Sequence, residues 1–127
     1  MPRIFTPGNI DKEEKEIRKD YSDRHTPHVI CDDQAKRGRK FRVKVRLGEQ
    51  HPHPDDADHY IAYLQLWNRE TLIAETRYQS GAFGNELSHP GVDFYIHPRI
   101  SMNLSAMALC TKHGPWQSES IAVEVFD

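Results

Sequence analysis

Residues 41–47, FRVKVRL, set Phe41, Val43, Val45 and Leu47 against Arg42, Lys44 and Arg46. Strict alternation gives a strand one apolar face and one wet face, so this stretch needs a second layer to cover it. The same short-strand character recurs in HVIC (28–31), YIAYLQLW (60–67), TLIAETRY (71–78), VDFYI (92–96), SMNLSAMAL (101–109) and SIAVEVF (120–126). Turn-forming clusters such as WNRET, QSGAFGNE and HPG separate them. About seven short antiparallel strands favour an all-β, immunoglobulin-like sandwich, with a small closed barrel as the competing architecture.

The chain has 127 residues, enough for one domain that buries roughly two-thirds of its unfolded surface. Residues 8–20 are highly charged and lack an apolar face, which suits a solvated arm or short surface helix. The expected division is a charged N-terminal arm, 1–20, followed by a single β-sandwich domain, 21–127. A net charge of −2 exerts no global pull on nucleic acid or anionic membrane, so neither is an expected partner. The start of the chain lacks the apolar segment of a secretory signal, and no run is long enough to span a bilayer, so a cytoplasmic location is expected.

Two cysteines, Cys31 and Cys110, are too few for a four-cysteine centre, while eight histidines point toward imidazole ligation. Three stretches hold the candidates. In HPHPDDADHY (51–60), His53 and His59 are six apart. A helix would leave them on different faces, Pro54 opposes helix, and an extended segment can return both rings to one side. A solvated Asp/His turn is the plainer alternative. In CTKHG, Cys110 and His113 follow a strand directly, and the turn closed by Gly114-Pro115 can aim a thiolate and an imidazole at one point. A buried cysteine beside a capping histidine would also explain it. In DRHTPHV, His25 sits between Asp23-Arg24 and the first strand, where an ordinary loop histidine is the alternative.

Together these stretches resemble the superoxide reductase family, in its one-iron form called neelaredoxin, related to the catalytic domain of desulfoferrodoxin. The family's E-K-H-x-P is matched by Asp23-Arg24-His25-Thr26-Pro27 and its H-P-x-x-x-x-H by His53 to His59. Its C-x-x-H-G-x-W is matched by Cys110 to Trp116. The likeness extends over about residues 21 to 126, in the family's order. It implies one iron (Fe2+/Fe3+) held equatorially by His25, His53, His59 and His113 and axially by the Cys110 thiolate, with the opposite position open. It also implies one-electron reduction of superoxide to hydrogen peroxide without release of dioxygen. Re-reduction would come from an external donor such as rubredoxin. A homo-oligomer, dimer or tetramer, is the expected assembly.

Two positions depart from the family, in which a Glu and a Lys precede the first ligand. By resemblance these are the catalytic candidates: the lysine attracts superoxide and helps deliver a proton, and the glutamate binds oxidised iron. Here Asp23 and Arg24 stand in their places. Arg24 keeps the positive charge, but with a pKa above about 12 it is a poor proton donor. Asp23 is one methylene shorter, so weakened or absent carboxylate closure is expected.

The remaining candidates receive plainer roles. His51 is read as a surface bystander, and His28, His89 and His97 as loop or strand-end residues. Cys31 is read as a small packed side chain, and a Cys31–Cys110 disulfide is disfavoured by the cytoplasmic reading. Asp55, Asp56 and Asp58 brace their loop, one of them with a second bond to a ligand imidazole as an option. Lys112 is a solvated cation near the site, and Trp116 packs beside it. The rival function is an electron-transfer or structural metal-binding β-sandwich without turnover. A cupredoxin would need a weak axial ligand soon after His113, usually methionine, and none follows. A hydrolytic Cys110–His113 pair would leave the other histidines idle.

Overall fold

The structure, a computed structural model, describes residues 19–127. A short helix α1 (Lys19–His25) leads into strands β1 (Pro27–Ile30), β2 (Gln34–Lys36), β3 (Phe41–Leu47), β4 (Ile61–Asn68) and β5 (Thr71–Arg77). They are followed by β6 (Gly91–Ile96), β7 (Met102–Cys110), β8 (Gly114–Gln117) and β9 (Ile121–Phe126). Most of the expected charged arm therefore lies outside the described residues, and its expected end at residue 20 falls inside α1.

Two sheets face each other. The smaller runs β1-β3-β6; the larger runs β2-β9-β7-β4-β5, with β8 also paired to β7. Among the described residues both sheets end in open edges, which rules out the closed barrel and gives the expected all-β sandwich. All seven expected strands are present within a residue or two. The two additions are β2 and β8, and β2 pairs parallel to β9, the one parallel pair among otherwise antiparallel neighbours.

The alternation in β3 works as its sequence dictates. Phe41, Val43, Val45 and Leu47 are buried, while Arg42 and Lys44 face solvent. Opposite them lie Leu64 and Leu66 of β4 and Leu104, Ala106 and Ala108 of β7, all in the same core. Each large aliphatic side chain taken fully out of water stabilises the fold by about 1.5–3 kcal/mol. In β7 the inward row Met102, Leu104, Ala106, Ala108 ends on Cys110, so period-two geometry delivers the thiol to one end of the core.

Three local features shape that end. A register shift between Ile61 and Tyr63 bends β4 where Ile61 pairs with Cys110. The seam continues beyond the strands, because Thr111 N–H donates to Tyr60 O (3.0 Å) and Tyr60 N–H to Thr111 Oγ1 (3.1 Å). His59 is thereby brought beside Cys110. On the other flank β7 pairs first with β9 and then with β8. At that handover the buried Ser118 donates its N–H to Ala106 O (2.9 Å) and accepts from Ala106 N–H through Oγ (2.8 Å).

Candidate metal centre

Each of the five donors arrives by a different local device. His25 is the last residue of α1 and is buried, at 1% exposure. Its Nδ1 lies 2.7 Å from Tyr21 O, one helical turn back. A carbonyl can only accept, so Nδ1 carries the proton and Nε2 keeps its lone pair. His53 repeats the arrangement: it is 1% exposed and its Nδ1 donates to Pro54 O at 2.7 Å. His59 closes a tight loop through reciprocal backbone bonds with Asp56, and its Nε2 is buried with no hydrogen-bond partner among the described residues. Cys110 ends β7, and His113 sits in the turn to β8, which Gly114 completes at φ +81°.

The four imidazoles form a square. Neighbouring ring centroids are 5.0 Å (His25–His53), 4.8 Å (His53–His59), 5.0 Å (His59–His113) and 4.7 Å (His113–His25), with planes 74–84° apart. The His25–His59 diagonal is longer, 6.3 Å, and those two rings are nearly parallel at 23°. Cys110 Sγ lies 3.3 Å from His53 Nε2 and 3.6 Å from His113 Nδ1. The donor atoms of His25, His53, His59 and Cys110 all fall within 4.8 Å of one another. Metal–nitrogen bonds of about 2.0–2.1 Å place opposite donors about 4 Å apart, so the spacing suits a single ion.

The electrostatics fit a metal too. Burial, then the charges of the other histidines, outweigh the Tyr21 carbonyl and lower the His25 pKa to about 3. Burial likewise lowers His53 to about 4 against the Pro54 carbonyl, and it also lowers His59. Neutral imidazoles are the ligating form. His113 Nδ1 stands 3.1 Å from His25 Nε2, which has only a lone pair to offer; a proton on His113 or a cation between the two resolves that contact. Burial raises the Cys110 thiol pKa, opposed by the Lys112 and His113 backbone N–H groups and the Lys112 charge. The His113 N–H lies 3.4 Å from Sγ and would stabilise a thiolate once a cation displaces its proton. A wall of aromatic side chains backs one side, with Trp116 stacked on His25 (5.0 Å, 18°) and Tyr21 against His25, His113 and Trp116.

A family model described as Desulfoferrodoxin matches residues 12–119. The chain belongs to the desulfoferrodoxin family. Within it, the chain is similar to a superoxide reductase from Thermococcus kodakarensis, 28% identical over 72% of this chain and 84% of the relative. It is also similar to the neelaredoxin of Megalodesulfovibrio gigas, 24% identical over 76% and 85%. Among solved structures, a variant of the Ignicoccus hospitalis superoxide reductase (neelaredoxin) aligns over 97% of this chain and 94% of that one. Its TM-score is 0.78 at 25% identity.

The other candidates of this family member fall around the cluster. The Arg24 side chain is about one-third exposed (32%) and tethered to Asp20 by its Nη2 at 3.4 Å, yet its charge is felt at His53. Asp23 is turned to the 49–51 backbone: Oδ1 accepts from Glu49 N–H, and Oδ2 from the N–H groups of Gln50 and His51. Burial works to raise its pKa, but these bonds and His51 overrule that and hold it well below the usual carboxylate range. His28, His89 and His97 lie outside the cluster, the latter two against Leu47 O and Gly38 O. Cys31 and Cys110 are both free, and Cys31 packs at the core's margin.

One contribution was missed in the sequence and a second was only partly legible. His51, read as a bystander, places Nδ1 2.9 Å from Asp23 Oδ2. Asp55 braces its loop as expected, but from a buried position and across to another loop: it is 3% exposed and accepts from the N–H groups of Gly81, Phe83 and Asn85. Nothing in HPHPDDADHY separates Asp55 from Asp56 by type; its partners lie 26 to 30 residues away. Tyr21 had a usable signal, since four-residue spacing from His25 matters once α1 is recognised.

Proposed function

We infer that this protein is a superoxide reductase, taking superoxide to hydrogen peroxide with one electron and two protons and releasing no dioxygen. The observation that carries the reading is the square of four near-perpendicular imidazoles with the Cys110 thiol against it. His25, His53, His59 and His113 would hold iron together with Cys110. A structural zinc site takes four donors and no vacancy, so a fifth donor favours a redox metal. When bound, iron supplies the electron to superoxide, with the thiolate donating electron density to it.

The chain's own residues prepare the site for an anion. The low basicity of His25 and His53 keeps both neutral. Only Cys110 then brings a charge to the donor set, which leaves a divalent ion incompletely neutralised. Arg24 adds positive potential from α1, and Lys112, exposed beside the half-buried His59 and His113, adds more. Arg24 does not surrender its proton, so water at the half-exposed His59 and His113 edge delivers both protons of the product.

Electrons for the next turnover must come from outside, since two cysteines cannot build a four-cysteine centre. A small one-electron carrier such as rubredoxin is the donor we propose. Among the described residues no helix is long and apolar enough to cross a membrane. Two free cysteines suit the reducing cytoplasm, where we place the protein.

The test is stoichiometry on iron-loaded, pre-reduced protein. One hydrogen peroxide should form per superoxide consumed, without dioxygen. Dioxygen in dismutase yield would overturn the assignment. Metal analysis returning tightly held zinc or copper, with no superoxide consumption, would support the rival structural or electron-transfer protein.

A further inference from the structure

The carboxylate of Asp23, two residues before His25, already accepts four hydrogen bonds. A carboxylate has about four lone-pair sites. At Asp23, Oδ1 meets Glu49 N–H at 2.9 Å, while Oδ2 meets Gln50 N–H at 3.0 Å, His51 N–H at 2.7 Å and His51 Nδ1 at 2.9 Å. Its side chain is 18% exposed. These bonds join α1, which carries His25, to the loop that carries His53 two residues beyond His51.

The surroundings hold this arrangement in place. Gly48 starts the loop at φ +72°, and a Cβ there would lie 2.7 Å from His51 O and 3.3 Å from Asp23 O. Gly48 N–H donates to Thr26 O at 2.9 Å, and Thr26 N–H to Asp23 O at 3.2 Å. The two segments are thus pinned backbone to backbone as well as through the carboxylate. Swinging Asp23 toward a metal would break all four of these bonds at once, the partly buried one to His51 N–H among them, and its single methylene gives it little reach from a helical position.

We propose that Asp23 is a positioning residue that fixes the His53 loop against the His25 helix, and that it stays on that loop, off the metal, in both oxidation states. This deepens the iron-site reading above and rests on it. A longer acid at this position would have more reach, whereas Asp23 as placed spends its carboxylate on the loop.

Hydrogen exchange on the wild-type, iron-loaded protein tests it without any substitution. Deuterium uptake of the 48–53 segment, read by mass spectrometry, should match in the reduced and oxidised forms. Loss of protection at residues 49–51 by about tenfold or more on oxidation would overturn the proposal, since amides protected by a bond exchange freely once it opens.

The isosteric Asp23→Asn supplies a second reading, because its amide sets donors against donors. At a temperature where both proteins are folded, the variant should lose iron to a chelator about 10–100-fold faster, as removal of a supporting partner does. The sulfur-to-iron absorption of its loaded, oxidised fraction should keep its wavelength. A shifted band, the mark of a lost ligand, or unchanged iron retention would each overturn the proposal. Neither measurement uses superoxide, so absence of turnover would sink the enzyme reading and leave this one standing.

Discussion

The donor set divides into two halves built on different physics. His25, Cys110 and His113 ride on regular structure: a helix end, a strand end and the hairpin turn between β7 and β8. His53 and His59 ride on the long connection between β3 and β4, where only isolated bridges occur, His53 with Ser88 and Asp56 with His59. The first half inherits its geometry from backbone ladders that would form with other side chains at the ends. The second depends on two carboxylates, Asp23 and Asp55, whose oxygens gather backbone N–H groups from neighbouring loops. Where ladders are missing, carboxylates do their work.

Attacking the regular half should give the largest effect. Cys110→Ser keeps β7 and its hairpin but replaces the thiolate, so the sulfur-to-iron band of the oxidised protein should vanish and turnover with it. Persistence of that band would remove Cys110 from the ligand set.

In the irregular half, Asp55→Asn should cost about 1–3 kcal/mol of stability, because it sets an amide against three partly buried backbone N–H bonds. Urea unfolding of the iron-free protein measures it. A loss below about 0.5 kcal/mol, the range of an ordinary surface change, would mean the loop does not need its anion.

Acid should strain both halves together. His25 and His53 are held mainly by burial at about 3 and about 4, whereas in an unfolded chain they take up protons near pH 6.5. Between roughly pH 6.5 and 4 the unfolded state of the iron-free protein therefore binds more protons than the folded one. Stability is complete above that window and falls as pH drops through it. Denaturation midpoints that stay level from pH 7.5 to 5 would contradict the buried, neutral square.

The smallest effect is expected at the rim. Arg24→Ala should slow the bimolecular reaction with superoxide by about two- to tenfold at low salt and flatten its dependence on ionic strength. An unchanged rate at low salt would leave the steering to Lys112.

The same contrast explains what could be read from the chain alone. The β3 alternation announces itself because every second residue is apolar, and β7 because its inward row is unbroken up to Cys110. By comparison β2 has three residues, too few to show a period, and takes its place from parallel pairing with β9. In β8 the Gly114-Pro115 pair reads as a turn. Pro115 is tolerated because it stands at the strand's start, opposite Leu109. Seven residues of α1 carry no usable helical periodicity, so His25 looked like a loop residue although it ends a helix. The three motifs, through the family resemblance, named all five side chains that the fold gathers into the cluster. They could not show that Asp23, His51 and Asp55 are already committed to backbone groups, because those partners are distant in sequence.

The hairpin between Cys110 and His113 also acts as a ruler. Only two residues, Thr111 and Lys112, separate the sulfur from the ring, and the His113 N–H already reaches back to that sulfur at 3.4 Å. So short a span leaves no room to present the far ring nitrogen, and it is Nδ1 that faces the cluster, whereas His25 and His53 arrive from distant segments and offer Nε2. One added residue between Cys110 and His113 would lengthen the chelate loop and favour the other nitrogen. Loop length here goes with which ring nitrogen faces the cluster, a choice that residue identity alone does not make.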